Sequence, residues 1–225
     1  MTGVIGILGG MGPAATVDFM ARILAATPAA RDEDHFRLLV DCNPRVPNRN
    51  RAQAGEGASP GPVLAAMAKG LERQGATLLV MPCNAAHAYA ADIRAAVTIP
   101  FLSMIEETGA ALAARYPEAR RVGLLAVDGT LAAGLYQPHL PEPVLLDPER
   151  QAGFMALVYR IKAGDTGPGA RADMIRFANA LVGAGAEVVI AGCTEVPLVL
   201  DPADIPVPLL ATTDVLVEAA INAAS

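Results

Sequence analysis

Two cysteines in this chain stand at matching points of a repeated segment. Cys83 ends the apolar run of "QGATLLVMPCNA". Cys193 ends that of "AGAEVVIAGCTE", which aligns on the first without gaps at an offset of 110 residues. A thiol can serve as an acid and its thiolate as a base. Set on opposite faces of one carbon, such a pair removes a proton from one side and returns one to the other. The carbon inverts without pyridoxal phosphate or a metal, provided N–H donors aimed at a carboxylate stabilise the carbanionic charge. A lone cysteine ending a buried strand ordinarily reads as a small hydrophobe, and Cys42 is read that way. The repeated pair, followed by Asn84-Ala85 and by Thr194-Glu195, is read as functional.

The surrounding pattern supplies elements to position the pair. Short continuous apolar runs ("GVIGILGG", "FRLLVDC", "ATLLVMPC", "IPFLSM", "RVGLLAVDGT", "AEVVIAGC", "PVPLLATT") alternate with Ala-rich helical stretches. Among the latter are "GPAATVDFMARILAAT", "AAHAYAADIRAAV", "LAAGLYQPHL" and "QAGFMALVYRIKAG". This alternation predicts parallel sheets buried on both faces, an α/β fold. "VTIPFLSMIEETGAAL" resembles "IPVPLLATTDVLVEAA" at an offset of 108, and "VIGILGGMGPAATVDF" resembles "RVGLLAVDGTLAAGLY". The repeat predicts two α/β domains of one kind related by a pseudo-two-fold axis. One comprises residues 1–105 with the last helix, 211–225, swapped back onto it; the other is 106–210. In open α/β sheets ligands bind beyond the carboxyl ends of the strands, where both cysteines fall. A helix expected just after Cys83 would offer its N–H groups and dipole to a thiolate.

Composition excludes several classes. The 225 residues carry a formal net charge of −6 with no basic patch, so no nucleic-acid partner is expected. No apolar run reaches the ~18 residues needed to span a membrane, and no basic leader opens the sequence. A cytoplasmic protein is expected. Three cysteines are too few and odd in number for a disulfide framework, and in a reducing compartment they remain thiols.

The segments "GGMGPAAT", "NPRVPNR", "PCNAAH", "VDGTLAAGLYQ" and "AGCTEVPL" resemble the signature segments of the aspartate/glutamate racemase family, nearest its aspartate racemase branch. The resemblance runs from residue 5 to about residue 222. It implies two α/β domains, a cofactor-independent two-base mechanism on a small amino-acid substrate, a site between the domains, and a homodimer. Residue by residue, it implies Cys83 and Cys193 as the catalytic pair. Asn84, Ala85, Thr130 and Thr194 fall at substrate-binding positions, with Met11 and Gly10 lining the cleft through backbone N–H groups. Arg49 and Lys162 fall where the aspartate branch holds a side-chain carboxylate, by charge-assisted contacts. Glu195 is an assisting group beside Cys193, and His87, four residues after Cys83, is a candidate for the same role on the other side. The sequence departs from the family at Ala85, Val127 and Ala133, where hydroxyl residues are usual. Each lost hydrogen bond to a charged group costs roughly 1.5–3 kcal/mol, so the departures bear on the substrate.

Other readings are weighed against this one. "GILGGMG" lacks the strict order of a dinucleotide fingerprint, although Asp41 sits where a ribose-binding acid would. Cys83 and His87 have no second ligand pair at zinc spacing, so no metal is expected. Related decarboxylase or isomerase chemistry, racemisation of a less polar substrate, and a catalytically silent ligand-binding module complete the alternatives.

Overall fold

The computed structural model describes residues 3–225 as two parallel four-stranded sheets with helices packed on their faces. The first half contains β1 (Val4–Gly9), α1 (Pro13–Ala26), β2 (Arg37–Cys42), α2 (Arg49–Gln53), α3 (Gly61–Arg73), β3 (Leu78–Val80), α4 (Ala90–Ala96), β4 (Phe101–Leu102) and α5 (Met104–Arg115). The second half contains β5 (Arg121–Leu125), α6 (Asp128–Ala132), β6 (Glu142–Val144), α7 (Pro148–Lys162), α8 (Pro168–Gly183), β7 (Val188–Ala191), β8 (Leu209–Ala211) and α9 (Thr212–Ala224). The strand orders are β2-β1-β3-β4 and β6-β5-β7-β8. The second order repeats the first, as the internal repeat predicts.

The apolar runs form strands because both faces of each sheet are covered. Leu64, Met67, Leu71 and Ile93 pack on one face of the first sheet, beside Leu79. Phe19 and Ile23 of α1, with Leu216, Val217 and Ala220 of α9, close its other face over Ile5 and Ile7. The second sheet is covered by Phe154, Leu157, Met174 and Leu181 on one side. Ile105 and Leu112 of α5 lie on its other side with Val122 and Leu124. Helices α5 and α9 thus exchange between the halves. Helix α5 starts where Ser103 accepts a hydrogen bond from the Glu106 N–H, with Glu106 and Glu107 in the first turn.

The structure departs from the sequence expectations at four places. Cys42, read as a small hydrophobe ending a buried strand, is exposed at the end of edge strand β2. The helix expected over 85–97 begins as a 3-10 turn, Asn84–Tyr89, and becomes α-helical only at Ala90. The stretch "LAAGLYQPHL" is not one helix: α6 stops at Ala132, and Gly134 turns the chain with φ +63. Strand β6, "EPV", has no apolar run to announce it. It lies at a sheet edge, where Pro143 needs no ladder donor.

Candidate active site

Cys83 and Cys193 each lie two or three residues beyond the carboxyl end of a central strand, β3 and β7. Each chain leaves its sheet there through a residue suited to a sharp exit, Pro82 after β3 and Gly192 after β7. A Cβ at Gly192 would stand 2.6 Å from Leu124 Cδ1 and 3.2 Å from the Leu125 carbonyl oxygen, so the backbone packs closely there. Both thiols line one cavity of about 60 Å3 between the two sheets. Both side chains are about 95% buried.

The floor of this cavity is the turn after β1. Gly10 has φ +92, and a Cβ there would meet the Asn43 backbone at 2.4 Å. The turn brings the Met11 carbonyl to the site, where it accepts from three groups. Cys83 Sγ is 3.5 Å away, Lys162 Nζ 3.3 Å and Arg49 Nη2 3.3 Å. Arg49 opens α2, and its Nη1 also donates to the Val46 and Pro47 carbonyls at 3.2 and 3.0 Å. Lys162, the last residue of α7, pairs with Glu195 Oε1. The other oxygen, Oε2, accepts from Cys193 Sγ at 3.0 Å and from Thr194 Oγ1 at 3.5 Å.

The electrostatics follow from that arrangement. Burial, reinforced by the Glu195 carboxylate, holds the Cys193 thiol well above its ordinary pKa, with Lys162 opposing. Cys193 is therefore held as the thiol. Burial disfavours the Lys162 ammonium, but the Glu195 carboxylate paired with it outweighs this and keeps the lysine charged. The cavity wall carries two cations, Arg49 and Lys162, and one carboxylate, Glu195.

Most of the residues singled out in the sequence meet here. Met11, Arg49, Cys83, Asn84, Ala85, Lys162, Cys193, Thr194 and Glu195 all line the cavity, as does Val127. Two do not. Thr130 is buried beside Leu124, Tyr136 and Leu140, and its hydroxyl has no hydrogen-bond partner among the described residues. His87 turns away from the Cys83 thiol. Its Nε2 accepts the Met104 N–H at 3.0 Å, which leaves Nδ1 to donate to the Cys83 carbonyl at 2.9 Å. Burial lowers its pKa to about 4, so the ring is neutral and serves as a backbone bridge.

Asn48, Asn50, Tyr159 and Gly192 also line the cavity and were not singled out. Their signal is proximity: the asparagines flank Arg49, Tyr159 precedes Lys162 by three residues, and Gly192 precedes Cys193. Asn50 reaches across the cavity, accepting from the Gly129 N–H at 2.9 Å and donating to the Tyr159 hydroxyl at 3.2 Å. Among the described residues no three His, Cys, Asp or Glu side chains converge to hold a metal ion, and no helix is long and apolar enough to cross a membrane.

A model of the family described as Asp/Glu/hydantoin racemase matches residues 8–220. The broad specificity amino-acid racemase RacX of Bacillus subtilis is 24% identical over 233 residues, covering 97% of this chain and 97% of RacX. The structure of Picrophilus torridus aspartate racemase superposes with a TM-score of 0.88 at 27% identity, covering 99% of this chain and 94% of that one. A glutamate racemase of Cupriavidus pinatubonensis is 32% identical over 134 residues, which is 57% of this chain and 47% of that relative.

Proposed function

The chain belongs to the Asp/Glu/hydantoin racemase family and is an isomerase, and we propose on that premise that it racemises an acidic amino acid, aspartate or glutamate, with Cys83 and Cys193 as its two proton-transferring groups. The observation that carries this reading is the pair of thiols. They sit beyond equivalent strands of a repeated sheet and line the same cavity. In one direction the Cys83 thiolate takes the Cα proton while the Cys193 thiol delivers its own to the opposite face. In the other direction the roles exchange. The protonated state of Cys193 suits it to act first as the acid.

The cations on the wall favour an acidic substrate. Arg49 and Lys162 face Glu195 and the one thiolate of the pair, so the wall itself is balanced. A side-chain carboxylate gains charge-assisted contacts with those two cations that a neutral side chain does not. Both cations keep unspent N–H donors: Lys162 uses two of three, and Arg49 uses two of five N–H groups on three carbonyls, or three at most. Asn84 and Thr194 are assigned to the α-carboxylate and Glu195 to supporting Cys193. A second reading, a broader substrate range, is favoured by Ala85 and Val127, which give the cavity apolar wall where hydroxyls are usual.

The packing of α9 against the first sheet supports a domain division into 1–105 with 211–225, and 106–210. Three unpaired cysteines suit the cytoplasm, and a homodimer is the expected assembly.

The test is Cα–H exchange followed by NMR in deuterated water, with L- and D-aspartate, L- and D-glutamate and a panel of neutral amino acids, and chiral chromatography of the products. Exchange with inversion on aspartate or glutamate is expected. Cys83→Ser and Cys193→Ser are each expected to lower racemisation ~1000-fold or more. Near wild-type inversion in either variant eliminates the two-thiol mechanism.

A further inference from the structure

We propose that Tyr136, which lies outside the cavity, is a positioning residue that sets the amide of Asn84 so that one of its N–H groups is presented to the substrate. The proposal rests on the reading of the cavity as the substrate site.

Two buried groups hold the Asn84 amide, and a third orients one of them. The Tyr136 hydroxyl donates to Asn84 Oδ1 at 2.5 Å. Asn84 Nδ2 donates to Thr212 Oγ1 at 3.1 Å, and the Thr212 hydroxyl donates to the Ala191 carbonyl at 2.9 Å. The direction of this chain is fixed from its far end. A backbone carbonyl only accepts, so Thr212 spends its one hydrogen on Ala191 and offers Asn84 lone pairs alone. The amide atom facing Thr212 must then be the nitrogen, and the atom facing Tyr136 the oxygen. Tyr136 completes the arrangement as a donor. Burial pushes the tyrosine pKa up, so that donor keeps its proton.

An amide nitrogen carries two hydrogens. One goes to Thr212, and the other takes no protein acceptor among the described residues. Asn84 is 2% exposed and lines the cavity, so the unspent N–H has only a cavity occupant to bind. Rotated half a turn, the same amide would set its oxygen against the Thr212 lone pairs. Thr212 excludes that orientation, and the Tyr136 donor anchors the one that remains. Tyr136 comes from the second half of the chain and Asn84 from the first, so the contact also ties the residue after Cys83 to the opposite sheet. Tyr136 is 2% exposed and is not among the cavity-lining residues, so its effect on a substrate passes through Asn84.

The experiment is a double-mutant cycle of Tyr136→Phe and Asn84→Ala, read as kcat/KM for the best amino acid of the panel above. Tyr136→Phe is expected to lower kcat/KM about tenfold, chiefly through KM, and to change it less than about twofold when Asn84 is already alanine. An equal loss in both backgrounds, or no loss in either, overturns the proposal, because a merely structural tyrosine acts independently of residue 84.

A second measurement needs no turnover. The side-chain amide protons of Asn84, assigned by comparison with Asn84→Ala, are expected to exchange with solvent severalfold faster in Tyr136→Phe than in the wild-type protein. Equal exchange in the two proteins overturns the clamp. If no amino acid is racemised, the proposed function fails while the amide signals still decide whether Tyr136 fixes Asn84.

Discussion

The Cys193 sulfur stands 3.0 Å from Oε2 of Glu195, and the other oxygen of the same carboxylate holds the Lys162 ammonium. The carboxylate both accepts from the thiol and opposes its ionisation. Glu195→Gln removes the charge but keeps the shape. It is expected to lower the Cys193 pKa, read from thiolate absorbance against pH. It is also expected to reduce kcat/KM about tenfold or more. The loss is expected to be equal from either enantiomer, since their equilibrium constant in water is one. An unchanged thiol titration would show that Glu195 does not govern Cys193.

Arg49 donates to the carbonyls of Val46, Pro47 and Met11 and lines the cavity at its Met11 side. Replacing it with alanine withdraws a cation from a wall that holds two. The KM for aspartate is expected to rise about tenfold or more, with a smaller change for neutral amino acids. Initial rates on both kinds of substrate check this, and an equal change on both would remove Arg49 from side-chain recognition.

Stability is expected to decline on acidification because of His87. The unfolded chain binds the imidazole proton near the ordinary value of 6.5, and the folded chain only near about 4. Between those values the unfolded state holds more protons, so stability falls as pH falls through this window and levels off below it. The full gap corresponds to about 3 kcal/mol. His87→Gln keeps a donor and an acceptor without a titrating ring. Urea unfolding at several pH values from about 7 to about 4 is expected to show a flatter acid limb in that variant.

Asn50 joins α2 to the second half through the Gly129 N–H and the Tyr159 hydroxyl. Asn50→Ala is expected to cost about 1 kcal/mol or less in stability while speeding alkylation of the cavity thiols severalfold. Iodoacetamide labelling followed by mass spectrometry reads this directly. Unaltered labelling would mean that the cavity opens elsewhere.

Strands β3 and β7 were legible because fully buried parallel strands must be continuously apolar, and the gap-free repeat set Cys83 opposite Cys193. Strand β6 was not, since an edge strand as short as "EPV" needs neither an apolar run nor a donor at Pro143. His87 looked like a partner for the Cys83 thiol because helical spacing stacks residues four apart. The segment is instead a 3-10 turn, Asn84–Tyr89, and the ring is carried to the Met104 N–H. Thr130 fell in the segment "VDGTLAAGLYQ", but α6 buries its hydroxyl away from the cavity. The Tyr136–Asn84 contact joins residues 52 apart in sequence, and no local periodicity announces such a pairing.

The position of α9 has a consequence for how the chain is made. By the time Leu102 leaves the ribosome, every strand of the first sheet has been synthesised. The helix bearing Leu216, Val217 and Ala220, which covers Ile5 and Ile7 on one face, follows more than a hundred residues later. Until then Phe19 and Ile23 of α1 alone cover that face, and contacts so distant in sequence form slowly. The nascent first half is therefore a sheet with one half-covered side, a substrate for chaperones and a risk for aggregation. Its closure waits for synthesis of the whole second half.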